Sequence, residues 1–266
     1  MAEVALDIDE WGVALVTLNR PEENNSWTPD LEREYYIVLD RLDRDPAVKV
    51  AVLTGAGRMF CPGAGGGRLE EIAETGIDYA GRPPFTGTLE FRKPLIAAIN
   101  GGCAGVGLVQ AMMCDVRFMA SSAKLTTAFA RRGLPAEHAL SWLLPRIVGV
   151  EHALDLLLSA RTVTADEALQ IGLVSRVVPL DNLLPSALAY ARDLAANCGP
   201  AAMATIKRQV WHDVESPLAD AYERAIRLTE DASRSAEFKE GVAAFSDKRP
   251  PSFPGLGTAA APPANH

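Results

Sequence analysis

Two glycine-rich stretches are the first places where the backbone itself could meet a ligand. They are Gly55 to Leu69, GAGRMFCPGAGGGRL, and the run Asn100 to Gly107. Neither is a nucleotide cradle. A P-loop requires GxxxxGK followed by Ser or Thr, and no glycine here precedes Lys-Ser or Lys-Thr. The GxGxxG fingerprint also fails: Phe60, Arg68 and Gln110 occupy the third glycine's place in the stretches starting at Gly55, Gly63 and Gly105. Glycine at 63–67 and 101–107 is compatible with close backbone approach to a ligand or with tight turns packed under helices. The cysteines, Cys61, Cys103, Cys114 and Cys198, are widely spaced without a CxxC pair, which disfavours a disulfide framework or structural zinc. No His or Lys adjoins Cys61 or Cys103 to activate a thiolate. Glu137 and His138 place a carboxylate and an imidazole side by side ahead of a helix expected from residue 139. Glu137 is suited to cap a helix beginning near Ala139. His138 titrates near neutrality, but neighbouring residues on a helix point apart.

These residues need a scaffold, and the elements alternate strand and helix. Val4, Leu6 and Ile8 alternate as a half-buried strand, and Val13 to Leu18 forms a second. Thr28 with Pro29 predicts a helix start; Leu31, Tyr35, Val38, Leu39 and Leu42 give the helical stripe, and Asp45-Pro46 ends it. Strands are expected at Val48 to Leu53, Pro94 to Ile99, Val116 to Ala120, Lys124 to Phe129 and Leu173 to Val178. Residues 55–69 read as loop, 70–92 as loop or short helices, and 103–114 as one buried helix of small residues. Helices are expected over 139–147 and 151–158, with Thr164 and Glu167 forming a capping box for another. From Leu183 the reading is almost wholly helical, with a break at Gly199-Pro200. The expected division is an α/β core over 1–199, a helical region over 200–249 that packs on a partner, and a loose Pro/Ala/Gly tail over 250–266.

Composition narrows the function classes. The 266 residues are 48% hydrophobic and 23% charged, an ordinary globular balance. A net charge of -8 disfavours a nucleic-acid binder. No apolar run approaches the ~20 residues of a membrane span, and the first residues lack a signal-peptide pattern, so a soluble cytoplasmic protein is expected. An anionic ligand would have to be met by local cations or backbone N–H groups.

Several motifs resemble the crotonase family of enoyl-CoA hydratases and isomerases. They are Arg20-Pro21-Glu22 with Asn25, the segment Gly57 to Ala64, and Lys93 to Gly101 followed by Ala111 to Asp115. Leu143 to Arg146, Ala165 to Val174 and Phe245 to Pro250 extend the likeness in order along the chain. The resemblance implies a spiral of ββα turns with a helical C-terminal oligomerisation region. It further implies acyl-CoA thioester substrates without metal or redox cofactor, and a homotrimer or dimer of trimers. In that family two backbone N–H groups stabilise a thioester enolate. By motif position these donors are the N–H of Ala64 and of Val106. Substrate contacts are expected from Arg20, Glu23, Ser26, Pro62, Gly63, Gly65, Gly66, Arg68, Gly105, Phe129, Arg132, Phe245 and Lys248. Lys248, with Arg249, would reach a neighbouring subunit's ligand, as the resemblance implies.

The departures are informative. Val109 and Phe129 stand where hydratases of the family carry glutamates, and Gly65 replaces an aspartate. Val106 is the middle residue of what is usually a triple glycine, a costly place for a β-branched side chain if the backbone there needs positive φ. Glu137 falls on the single glutamate of the isomerase branch, which implies that it shuttles a proton between carbons. The implied activity is hydration or double-bond isomerisation of an enoyl-CoA. The alternatives are hydrolysis or C–C cleavage through an enolate, or CoA binding without catalysis.

Overall fold

The computed structural model describes residues 2–257. β1 (Val4–Ile8) and β2 (Val13–Leu18) form an antiparallel hairpin in which Val4 faces Leu18 and Ile8 faces Ala14. The Thr28 hydroxyl accepts the Leu31 N–H and starts α1 (Pro29–Arg44), whose Leu31, Tyr35, Leu39 and Leu42 are buried. Lys93 closes the far end of that helix: its ammonium donates to the carbonyls of Leu42 and Asp45 at 2.5 and 2.6 Å. Burial pushes its pKa down to about 8.

From there the chain winds between two sheets. β3 (Val50–Gly55), β5 (Leu95–Ile99), β7 (Val116–Ala120) and β10 (Arg176–Val178) extend the hairpin into a six-stranded sheet of order β1-β2-β3-β5-β7-β10. β4 (Met59–Cys61), β6 (Gly102–Ala104), β8 (Lys124–Thr126) and β9 (Val163–Thr164) form a second sheet in that order. Each successive pair, β3–β4, β5–β6 and β7–β8, therefore places one strand in each sheet, the spiral of ββα turns expected from the resemblance. All residues of β3 and β5 are buried, as parallel strands covered on both faces require. α8 (Leu180–Asn197) covers one face with Ala187, Ala191 and Ala195, small side chains at four-residue spacing.

The remaining helices are α2 (Gly66–Thr75), α3 (Gly87–Glu90), α4 (Val106–Met113), α5 (Leu140–Val148), α6 (Val150–Ser159), α7 (Ala165–Gln170), α9 (Pro200–Asp213), α10 (Leu218–Ser233) and α11 (Ala236–Asp247). The capping box holds, with Thr164 accepting from the Glu167 N–H. Three expectations are corrected. Residues 103–114 are not one helix: Cys103 belongs to β6 and the helix begins at Val106. The stretch 55–69 is not all loop, since it contains β4 and the first turns of α2. Strand β8 ends at Thr126, short of Phe129.

The last three helices are fastened to the body by polar ties. Lys207 donates to Asp115 Oδ2 at 2.8 Å and to the Lys93 carbonyl at 3.1 Å. Within the three, the Glu237 carboxylate of α11 accepts the N–H groups of Ala201 and Ala202 at the start of α9. Of the expected tail, residues 250–257 lie against the protein. Phe253 lines a trough among α9, α10 and α11, and the Gly257 carbonyl accepts from Arg92. The rest of that tail, 258–266, falls outside the described residues. Among the described residues no helix is long and apolar enough to cross a membrane.

Candidate active site

The glycine loops build one wall of the candidate site. Gly63 (φ 83°) and Gly105 (φ 51°) take the left-handed backbone that side chains disfavour. Gly105 is the N-cap of α4, so Val106 is the first residue of that helix and its N–H has no intrahelical acceptor. The positive φ thus falls on Gly105, and the β-branched Val106 carries no such penalty. A Cβ on Gly63 would sit 3.0 Å from the Ala104 carbonyl and 3.3 Å from the Val106 nitrogen, so the two loops are in contact. Among the described residues, the Ala64 and Val106 N–H groups have no backbone or side-chain acceptor.

The motif asparagines hold this wall from behind. Asn25 donates to the carbonyls of Ala56 and Met59 at 2.9 and 2.7 Å, and Asn100 donates to that of Gly57 at 2.9 Å. The Trp27 N–H ties to the Gly63 carbonyl at 2.8 Å. Every side chain in that set serves loop geometry, leaving the two outward N–H groups as the chemistry on offer.

The opposite wall comes from segment 77–86 and the turn before α5. A cavity of about 70 Å³ is lined by Ala64 and Val106 on one side and by Tyr79, Arg82, Phe85, Leu134 and Glu137 on the other. A second cavity of about 570 Å³ continues past Glu137 between Ile77, Pro83, Pro84, Phe85 and Pro135. Glu137 does not cap α5: the N-cap is Ala139, without a side-chain hydrogen bond, and only the Glu137 carbonyl accepts from Leu140. Glu137 lines both cavities. Burial raises its pKa above the ordinary carboxylate range, opposed by the Tyr79 hydroxyl and the Arg82 charge.

His138 is a different case. Its ring stacks on Phe85, with centroids 3.6 Å apart, and meets Tyr79 edge-on at 5.6 Å. Burial and the Arg82 charge push its pKa down to about 4, so it is neutral at physiological pH and offers no second titrating group there. The cysteines are inert: burial drives Cys61 up to about 12 and Cys103 up as well.

The substrate contacts expected from sequence divide into two groups. Ala64, Val106, Arg68 and Glu137 share the small cavity. Pro62, Gly63, Gly65, Gly66 and Gly105 form the loops beside it, with Ser26 against Gly65 and buried Phe129 against Gly105. Five others lie apart from the cavities. Arg20 is turned inward, bridging Glu3 and Glu23 at 2.8 and 2.6 Å and donating to Thr28, which occupies both it and Glu23 structurally. Arg132 is exposed, and its side chain donates to the Ala128 carbonyl. Phe245 is 87% exposed and Lys248 caps α11, both on the helical region away from the two cavities of this chain. Sequence reasoning missed Trp27, Tyr79, Arg82 and Phe85, because aromatic and Pro-rich loop residues carry no period to read.

The comparisons with known proteins agree with this architecture. The sequence model of the enoyl-CoA hydratase/isomerase family matches residues 9–256. The chain is 33% identical to the 1,2-epoxyphenylacetyl-CoA isomerase of Escherichia coli, over 96% of this chain and 100% of that protein. A probable enoyl-CoA hydratase/isomerase from Mycobacterium abscessus superposes with a TM-score of 0.89 at 34% identity, covering 96% of this chain and 100% of that one. An enoyl-CoA hydratase from Mycobacterium marinum is 49% identical over 81% of this chain and all of its own, with a TM-score of 0.70. With its alternating two-sheet spiral and its paired glycine loops, this chain belongs to the enoyl-CoA hydratase/isomerase, or crotonase, family.

Proposed function

We propose that the protein moves a double bond within an enoyl-CoA, using Glu137 to shuttle one proton. The carrying observation is that Glu137 is the single carboxylate lining the cavity that also holds the Ala64 and Val106 N–H groups. The thioester oxygen lies between those two donors. The Glu137 carboxylate takes a proton from the carbon next to the thioester carbonyl, and the resulting negative charge on oxygen is held by the N–H pair. The protonated Glu137 then returns the proton to the carbon at the far end of the original double bond, which leaves the new double bond beside the carbonyl, and the carboxylate is restored. Val109 and Phe129, where two-carboxylate hydratases need acids, are buried and apolar, which favours isomerisation over water addition.

The larger cavity past Glu137 suits the acyl chain, and Arg68, which lines the smaller cavity with the donors, suits the CoA phosphates. CoA enters as part of the substrate, and no separate cofactor is needed. A trimer or dimer of trimers completes the reading. Ile206, Val210, Tyr222 and Phe238 leave an apolar face exposed on α9 to α11, suited to a second copy of the chain. Light scattering is expected to give three or six times 28.4 kDa, and a monomer at micromolar concentration contradicts it.

The decisive assay sets 3-enoyl-CoA isomerisation beside crotonyl-CoA hydration. Isomerisation is expected to dominate, and Glu137→Gln to lower kcat by at least ~10²-fold with the fold intact. Equal turnover in the Gln variant removes Glu137 from the reaction. Tight CoA binding with neither activity assigns the protein to ligand binding instead.

A further inference from the structure

Behind Glu137 lies an ion pair that the reaction as written does not use. Glu32, on α1, is 2% exposed, and its carboxylate accepts three donors. Arg82 Nε and Nη2 approach at 3.0 and 2.5 Å and the Trp27 indole N–H at 2.9 Å. Such a forked contact fixes the guanidinium in plane and position. Arg82 in turn carries the segment above the site. Its Cζ lies 5.3 Å from the ring centres of both Tyr79 and Phe85, and those two rings grip His138, the neighbour of Glu137. His138 and Ala139 are both left-handed, at φ 52° and 63°, a conformation that persists only where surroundings hold it.

We propose that Arg82, anchored by the buried Glu32 carboxylate, is a positioning residue for Glu137, fixing where its carboxylate lies and which charge faces it. The proposal rests on the proton-shuttle reading above. The charged and titratable groups around Glu137 are few. Segment 77–86 brings Tyr79 and Arg82, α2 brings Arg68, already paired to Glu71 at 2.6 Å, the same turn brings neutral His138, and α1 brings Glu32 behind Arg82. Arg82 is a cation that favours the ionised form of Glu137, and Glu32 is the carboxylate paired to that cation.

This arrangement makes a sign prediction that a purely structural tie does not. Arg82→Met removes the cation, so Glu137 should titrate at higher pH. Glu32→Gln leaves the cation uncompensated, so Glu137 should titrate at lower pH. Loss of a mere tie would move both variants the same way. The readout is the ¹³C NMR titration of the Glu137 side-chain carboxyl in the full-length protein, with Glu137→Gln as assignment control, beside the acid limb of kcat/KM for isomerisation.

Removing one member of a buried pair can unfold a protein. The double variant Glu32→Gln/Arg82→Met removes both charges together and should follow Arg82→Met in direction. Arg82→Lys keeps the charge but not the fork. It should leave the titration near wild type while lowering kcat about tenfold through looser placement, with KM little changed. Opposite shifts in the two single variants, or an upward shift in the double variant, support the proposal. Same-direction shifts, or none, overturn it. Because the NMR titration needs no turnover, an active Glu137→Gln variant would refute the shuttle while leaving the coupling measurable.

Discussion

The two walls of the candidate site are fixed by different physics. The donor wall is backbone, held by left-handed Gly63 and Gly105, by the start of α4, and by Asn25 and Asn100 bonding to loop carbonyls. The acid wall is side chains held by side chains: Arg82 on Glu32, Phe85 on His138, and Tyr79 against the same ring. The first tolerates a change of side chain and resists a change of backbone, whereas the second should respond to charge. Substitutions on each wall can break that contrast.

The largest effect belongs to the donor wall. Ala64→Pro deletes an N–H and fixes φ near −65°, and it should cost about 10²- to 10³-fold in kcat, the usual effect of losing one oxyanion donor. Ala64→Ser keeps the N–H and should lose far less rate in the same assay. Equal losses in two folded variants would show that the side chain at 64 matters, and the backbone account of this wall would fail.

Next comes Gly105→Ala. A Cβ there meets nothing closer than 3.9 Å, so the penalty is conformational, from φ 51° and ψ −125°. Roughly 1–3 kcal/mol of stability should be lost, read from denaturant unfolding, with a parallel loss of rate as the Val106 N–H moves. Unchanged stability would mean that the turn relaxes freely and that the wall is softer than its geometry implies.

The acid wall predicts a pH effect. His138 binds a proton near its ordinary value when unfolded but only near 4 when folded. Between those values the unfolded state holds more protons, so stability is present at neutral pH and falls as the pH drops toward 4. Glu137, held above the ordinary carboxylate range, contributes in the opposite sense, losing stability as the pH rises through its own window. His138→Asn, which tolerates the left-handed backbone, should flatten the thermal-stability profile between pH 7 and 4. A profile of unchanged slope would place His138 in solvent and undo the ring clamp.

The donor wall and its strands were largely legible in sequence, and the acid wall was not. Val50–Gly55 and Leu95–Ile99 read correctly because buried parallel strands are continuous apolar runs. Thr28-Pro29 set the start of α1 by local capping chemistry alone. β4, β6 and β9 have three, three and two residues, too short to show a period, so Cys103 was absorbed into the helix that follows it. The glycines at 65–67 hid the first turn of α2 for a related reason, since their local preference contradicts the helix that packing imposes. The Glu32–Arg82 pair joins residues 50 positions apart, and Arg82-Pro83-Pro84 reads locally as a chain breaker. Only the fold brings that arginine to Glu137.

The smallest expected effect is the sharpest check on the donor wall. Val106 looks in sequence like a departure that should cost activity, since a β-branched residue stands among glycines. The backbone says otherwise, because the positive φ sits at Gly105 and Val106 has already entered the helix. Restoring glycine at 106 should therefore relieve no strain. Val106→Gly should instead lose about 0.5–1 kcal/mol of stability, the entropy of a freer helix start, and keep kcat within a few-fold, because its N–H stays where it was. A gain in stability would mean that the valine is strained after all. A tenfold loss of kcat at unchanged stability would mean that its half-buried side chain shapes the space beside Glu137. Either result would move part of the donor wall's function from backbone to side chain, and the contrast between the two walls would have to be redrawn at this residue.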